Sequence, residues 1–134
     1  MLGNFQQSNL RIEIEAEEEA IKDSLLQGDR LKQWMWPQNF TSLPDKLTTG
    51  ANFTSYLGFI EIEHQVQHLD DNCLRLILSK GIDGYHEWCW GDGWLQSRLE
   101  GVSILPLNLG QTYSLFRLRQ YLERYAHIKQ SVDN

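Results

Sequence analysis

Apolar and polar residues alternate within the stretch from Phe59 to Leu69, and this pattern constrains the fold more than any other feature of the sequence. Alternation predicts a β-strand, because neighbouring side chains of a strand point to opposite faces of the sheet. The polar residues Glu61, Glu63, Gln65 and Gln67 would occupy one face, as expected of a sheet with one solvated side. The other face would carry Ile60, Ile62, His64, Val66 and His68.

The following segment, Cys73 to Ser79, predicts a second strand that pairs with the first. A three-residue turn at Asp70-Asp71-Asn72, with Asn72 left-handed, collects the aliphatic side chains of both strands on one face. A two-residue turn would mix the faces and expose aliphatic groups. The predicted register places Val66 opposite Leu76 and His64 opposite Leu78.

A further hairpin is predicted around Gly91-Asp92-Gly93, because Asp-Gly is a strong tight-turn signal. With Asp92-Gly93 as the loop, the tryptophans and Leu99 line one face of this hairpin. A three-residue loop would shift the register by one position. The two-residue register places Trp90 opposite Leu95, Trp88 opposite Ser97 and Glu87 opposite Arg98.

The chain before these hairpins combines a strand with two short helices. Asn9 to Glu15 alternates as a strand, and helical spacing follows from Glu17 to Leu25. We expect Gly28 to cap this helix and Asp29 to begin a second one through Trp34, which must end before Pro37. Weaker strands are predicted within the ranges 40–47 and 51–57.

The C-terminal part of the chain predicts one long helix from about Gln111 to His127, after Pro106 ends the sheet region. Its apolar residues recur at three- and four-residue steps and form a continuous stripe. Such a stripe must be buried against another element of the fold, and the apolar face of the sheet is the expected partner. Its members are Leu115, Leu118, Leu122 and Tyr125.

Length and composition predict one domain over residues 1–134. The formal net charge of −6, with no basic cluster, argues against nucleic acid or an anionic membrane as a partner. No apolar run is long enough to cross a bilayer, and the N-terminus lacks the features of a secretory signal. Cys73 and Cys89 lack CxxC spacing and could form at most one disulfide, so a reduced cytoplasmic protein is expected.

The order of these elements, with the segments Asp29–Pro37, Glu87–Gly93 and Leu115–Tyr125, resembles the START-related, Bet v-like superfamily often called SRPBCC. The resemblance implies an α+β helix-grip fold, in which a curved antiparallel β-sheet wraps around a long C-terminal helix and two short helices follow the first strand. It also implies a cavity between sheet and helix. Members include ligand carriers, polyketide cyclases, ring-hydroxylase domains and chaperone activators, so the fold does not fix the activity.

His64 is the most informative candidate for a site, because the predicted register points its imidazole to the apolar side of the sheet. There it could bond to a ligand or act as acid or base, although a core histidine satisfied by a neighbouring group explains the same pattern. Tryptophans suit a pocket, but any one of them more often fills the core between sheet and helix. We expect a ligand site lined by Trp34, Ile62, His64, Leu76, Trp88 and Trp90.

Three functions remain open from the sequence. The first is a domain, monomeric or homodimeric, that binds an apolar or aromatic small molecule such as a lipid or a polyketide-like compound. The second is a cyclase or dehydratase with His64 as acid or base, and the third is a protein-interaction module with a filled core that binds through Trp94 and the Arg98 face. No metal site or cofactor is expected, since His64 and His68 would lie ~13 Å apart along a strand.

Overall fold

The computed structural model describes residues 3–35 and 39–133, with side chains through Tyr125. It has an α+β helix-grip fold, in which a curved seven-stranded antiparallel sheet faces a long C-terminal helix. The strand order is β1-β7-β6-β5-β4-β3-β2. The elements are β1 Asn4–Glu13, α1 Glu18–Leu26, α2 Gly28–Trp34, β2 Asn39–Thr41, β3 Asn52–Leu57, β4 Ile60–Leu69, β5 Cys73–Lys80, β6 Asp83–Gly91, β7 Trp94–Ser103 and α3 Leu107–Asp133.

The predicted register between β4 and β5 is confirmed, with His64 opposite Leu78 and Val66 opposite Leu76. A bulge between Val66 and His68 then shifts the pairing, and the His68 side chain is exposed instead of sharing the apolar face. The turn does not use a left-handed Asn72. The turn is stabilised by the Asp70 carboxylate, which accepts hydrogen bonds from the backbone N–H groups of Asn72 at 2.9 Å and Cys73 at 2.7 Å.

The hairpin between β6 and β7 has the predicted two-residue loop, because Gly91 pairs with Trp94 and Gly93 takes a positive φ of 80°. The predicted pairs are confirmed throughout: Trp90 with Leu95, Trp88 with Ser97 and Glu87 with Arg98. Trp88 and Trp90 are buried on the inner face of the sheet. Every second residue of β6, counted from these two tryptophans, therefore also lies on the inner face of the sheet.

The two short helices meet at Gln27, which ends α1 in an extended conformation. Gly28 was expected to cap the C-terminus of α1, but it is the first residue of α2. A Cβ at this position would collide with the carbonyl oxygen of Pro44, so close backbone approach explains the glycine. Helix α2 ends at Trp34, before Pro37, as predicted, and residues 36–38 lie outside the described residues.

Helix α3 begins at Leu107, four residues before the predicted start at Gln111. It packs on β1 and β7 of the sheet, as its apolar stripe predicted, and also on the two short helices. Leu115, Leu118 and Leu122 are buried in the core. Tyr125 differs from the other members of the stripe, since it is partly exposed and lies beneath the guanidinium of Arg30 at 4.8 Å from the ring centroid. The core therefore fills the space between the middle turns of α3 and the sheet.

Cys73 and Cys89 occupy opposing positions on β5 and β6, with their Cα atoms 4.2 Å apart, and they form a disulfide. The sequence led us to expect reduced thiols. This expectation was wrong because spacing along the chain does not reveal that the two residues are cross-strand neighbours.

Among the described helices, none combines the length and hydrophobicity needed to span a membrane.

Candidate functional site

A pocket of about 500 Å³ lies between the inner face of the sheet and the first turns of α3. Aliphatic side chains from β3, β4, β5 and β7 form most of its floor, and the residues after Ser103 form its rim. The described lining includes no Asp, Glu, Lys or Arg. The polar side chains among the lining residues are His64, His86, Gln111, Tyr113 and Ser114.

His64 lies on β4 with only 7% of its surface exposed. Its Nε2 atom is 2.8 Å from the hydroxyl oxygen of Ser55, which is fully buried on β3. The ring of Phe53 stacks on the imidazole at a centroid distance of 4.4 Å. The Nδ1 atom is screened from water and has no hydrogen-bond partner among the described residues. One side of this ring is thus anchored, and the other carries an unsatisfied polar atom.

His86 belongs to a larger hydrogen-bond network that joins three strands to α3. Its Nε2 atom lies 2.7 Å from the hydroxyl oxygen of Ser97 on β7. The amide nitrogen of Gln111 donates to that oxygen at 3.0 Å and to the Ser97 carbonyl at 2.9 Å. The Gln111 amide oxygen accepts from the hydroxyl of Ser8 on β1, which accepts in turn from Asn108. This network fixes the beginning of α3 over the pocket.

Burial keeps both imidazoles neutral near pH 7, because the charged form would lose its hydration in the protein interior. It lowers the pKa of His64 to about 4. Burial also lowers the pKa of His86 to about 3, with a smaller contribution from repulsion by His64. The pocket is therefore uncharged as well as largely apolar.

The structure divides the six residues that the sequence suggested as a ligand site. Ile62 and His64 line the pocket. The other four, Trp34, Leu76, Trp88 and Trp90, are buried in the core and are not among the described lining residues. Trp34 packs edge-on against Trp88 at 5.9 Å and donates to the carbonyl of Ser24 at 2.8 Å.

Sequence reasoning missed His86 and Gln111, although each carried a usable signal. His86 precedes Trp88 by two positions on a strand whose inner face was already assigned to the tryptophans. Gln111 precedes Leu115 by four positions and therefore extends the apolar stripe of α3 by one turn. A polar residue at the end of an apolar stripe can indicate where the packed core ends and a candidate binding pocket begins.

The outer face of the sheet holds the remaining polar candidates. Arg75 contacts the carboxylate of Glu87 at 3.4 Å, and Arg98 contacts that of Glu100 at 3.5 Å, so the cross-strand neighbours Glu87 and Arg98 each have another partner. Trp94 is half-buried on this side, with the guanidinium of Arg11 at 4.4 Å from its ring centroid. These contacts are typical of a solvated sheet surface.

No protein-family model matches the sequence, and no curated protein matches it. Solved structures do match the fold. Protein CV1439 from Chromobacterium violaceum aligns with a TM-score of 0.71 and 19% identity over 87% of this chain and 96% of its own. An Aha1 dimer from Colwellia psychrerythraea aligns with a TM-score of 0.65 and 18% identity, covering 88% of this chain and 96% of the other.

DynU16, a protein of the dynemicin biosynthetic locus, aligns with a TM-score of 0.67 and 18% identity over 87% of this chain. The alignment covers 47% of DynU16, so the chain spans about half the length of that protein. At such identities the likeness concerns the architecture alone. The chain has the helix-grip fold of START-related, Bet v-like (SRPBCC) domains.

Proposed function

We propose that this protein binds an apolar or aromatic small molecule in the pocket beneath the first turns of α3. The observation that carries the proposal is the combination of a volume of about 500 Å³ with an uncharged, mostly aliphatic lining. Ligand sites commonly have volumes of ~300–1,000 Å³ and combine apolar walls with a few placed polar groups. The proposed polar groups are the imidazoles of His64 and His86.

Catalysis of the cyclase or dehydratase type is the second candidate, with His64 as acid or base. The lowered pKa of His64 disfavours this role, since a neutral imidazole has no extra proton to donate at pH 7 and is a weak base. DynU16, which has a similar fold, is a protein of a biosynthetic locus, and this similarity supports a biosynthetic compound as a possible type of ligand. Binding without turnover nevertheless agrees best with the two neutral rings.

A protein-interaction module with a filled core is the third candidate. Leu109, Tyr113 and Phe116 form an exposed apolar strip on α3, and such a strip could contact another protein. Leu109 and Tyr113 also line the pocket. We therefore favour a role for these two residues at the pocket entrance over a separate docking surface.

A titration with the neutral fluorophore N-phenyl-1-naphthylamine tests the proposed binding. We expect saturable binding of one molecule per chain, because the probe is apolar and smaller than the pocket. Ser114→Trp should weaken this binding at least about tenfold, since an indole there would occupy pocket volume. Gln120→Trp is the matched control, because Gln120 is exposed on the same helix and is not a lining residue.

Absence of saturable binding, or equal binding by Ser114→Trp and the wild-type protein, would refute the proposal. Native mass spectrometry of protein purified gently from its own host supplies an independent test. A bound mass that is lost on denaturation, and lost in Ser114→Trp, would support an occupied pocket. The same spectra distinguish a monomer from a homodimer.

A further inference from the structure

The hydrogen bonds of Gln111 determine which way its side-chain amide points. The Nε2 atom lies 2.9 Å from the carbonyl oxygen of Ser97 and 3.3 Å from that of Ser8. Carbonyl oxygens only accept hydrogen bonds, so the group that faces both must be the NH₂ end of the amide. The contact from this atom to the Ser97 hydroxyl is therefore a donation to the hydroxyl oxygen.

The orientation of Gln111 then fixes the proton on Ser97. The Ser97 hydroxyl is fully buried, and its oxygen has two partners among the described residues: the Gln111 NH₂ group and Nε2 of His86. Only the imidazole nitrogen can accept the hydroxyl proton. A neutral imidazole that accepts at Nε2 carries its proton at Nδ1. His86 is thus a hydrogen-bond donor at its Nδ1 atom.

Ser55 applies the same constraint to His64. Its hydroxyl is fully buried, and the described structure gives it one side-chain partner, Nε2 of His64 at 2.8 Å. Burying a hydroxyl proton without an acceptor is unfavourable, so Ser55 donates to that nitrogen. His64 consequently carries its own proton at Nδ1, the atom that has no partner among the described residues.

We propose that Ser55 and Ser97 make His64 and His86 into two Nδ1–H donors, and that the pocket selects uncharged ligands bearing a carbonyl group, such as aromatic ketones or lactones. This inference rests on the proposed binding function and adds the ligand class. Nδ1 of His64 has no partner among the described residues and is screened from water, so a carbonyl oxygen that reached it as the lining side chains shifted would satisfy this donor. An ammonium group would offer only donors, and a carboxylate would lose its hydration in a lining without cationic side chains.

The tautomers can be measured without any ligand. Long-range ¹H–¹⁵N NMR at pH 7 distinguishes protonated from unprotonated imidazole nitrogens, and exposed His68 supplies a solvated reference in the same spectrum. We expect both His64 and His86 to be protonated at Nδ1. In Ser97→Ala the His86 ring should gain the Nε2–H form while His64 remains unchanged. Protonation of either wild-type ring at Nε2 would overturn the inference.

Ligand selection is tested with 2-acetylnaphthalene and 2-isopropenylnaphthalene, which share one shape and differ by C=O against C=CH₂. We expect the ketone to bind about tenfold more tightly, the value of one well-formed hydrogen bond to a buried donor. Naphthalene-2-carboxylate should bind more weakly than the ketone. Equal binding of ketone and alkene, or tighter binding of the carboxylate, would overturn the ligand class while leaving apolar binding intact. Failure of all three to bind would refute the proposed function and this inference with it.

Discussion

Nε2 of His86 lies 2.7 Å from the hydroxyl oxygen of Ser97, and this contact joins the wall of the pocket to the helix that covers it. Ser97 is also the main partner of Gln111, so a residue of the sheet connects a candidate ligand-binding group, His86, with the second turn of α3. The stability of the fold and the proposed ligand recognition therefore depend on the same hydrogen bonds.

Replacing Gln111 with Leu should destabilise the fold by about 2–4 kcal/mol, because buried partners on β1 and β7 would lose their hydrogen bonds. Urea denaturation at pH 7 measures this loss. Gln120→Leu, an exposed change on the same helix, should remain within about 0.5 kcal/mol of the wild-type protein. Equal effects of the two changes would show that the network contributes little.

Stability should fall between pH 7 and pH 5 because of His64, which is buried, and His86, which is mostly buried. In the unfolded chain each ring titrates near pH 6.5, whereas the folded rings, with pKa values of about 4 and about 3, remain neutral at pH 5. The unfolded chain thus binds more protons over this interval. Each histidine should lower the free energy of unfolding by about 2 kcal/mol from pH 7 to pH 5.

Urea denaturation of His86→Gln at both pH values checks this expectation, since the variant should lose about half of the histidine-dependent change. His68→Gln should retain most of it, because His68 is exposed and its Nε2 contacts Asp70 on the surface. A His86→Gln variant with the full wild-type pH dependence would contradict the burial of a neutral ring.

Two glycines should respond in opposite directions to Ala. Gly110 lies in the first part of α3 with no atom within 4 Å of an added Cβ, so Gly110→Ala should stabilise the helix by about 0.5–1 kcal/mol. Gly58 has equal space, but its φ of +64° is unfavourable for a side chain, and Gly58→Ala should destabilise by about 1 kcal/mol. Thermal unfolding distinguishes the two, and a shared sign would be inconsistent with the described backbone.

The β-hairpins could be predicted from the sequence because alternation and turn residues act locally. The register of Trp88 with Ser97 and that of His64 with Leu78 follow from the same requirement, that aliphatic and aromatic groups share a buried face. The bulge before His68 was not predictable, since an extra residue in one strand leaves no distinct signal in a short alternating pattern.

The location of the pocket was harder to predict, because it depends on where α3 stops filling the space above the sheet. Large aromatic residues such as Trp34 and Trp90 suggested a site, but they have the volume needed to fill a core. The pocket lies where the inner face carries His64 and His86, opposite Gln111 and Ser114 on the helix. That juxtaposition joins three elements, β4, β6 and α3, and could not be inferred from spacing along the chain.

The most direct test of the account is a ¹H–¹⁵N NMR titration of the wild-type protein with 2-acetylnaphthalene. We predict saturable shifts concentrated at His64, His86 and Ser114, with the resonances of Trp34 and Trp90 nearly unchanged. Shifts centred on the tryptophans, shifts confined to Trp94 and the outer face of the sheet, or no saturable shifts at all would contradict a ligand site beneath the first turns of α3.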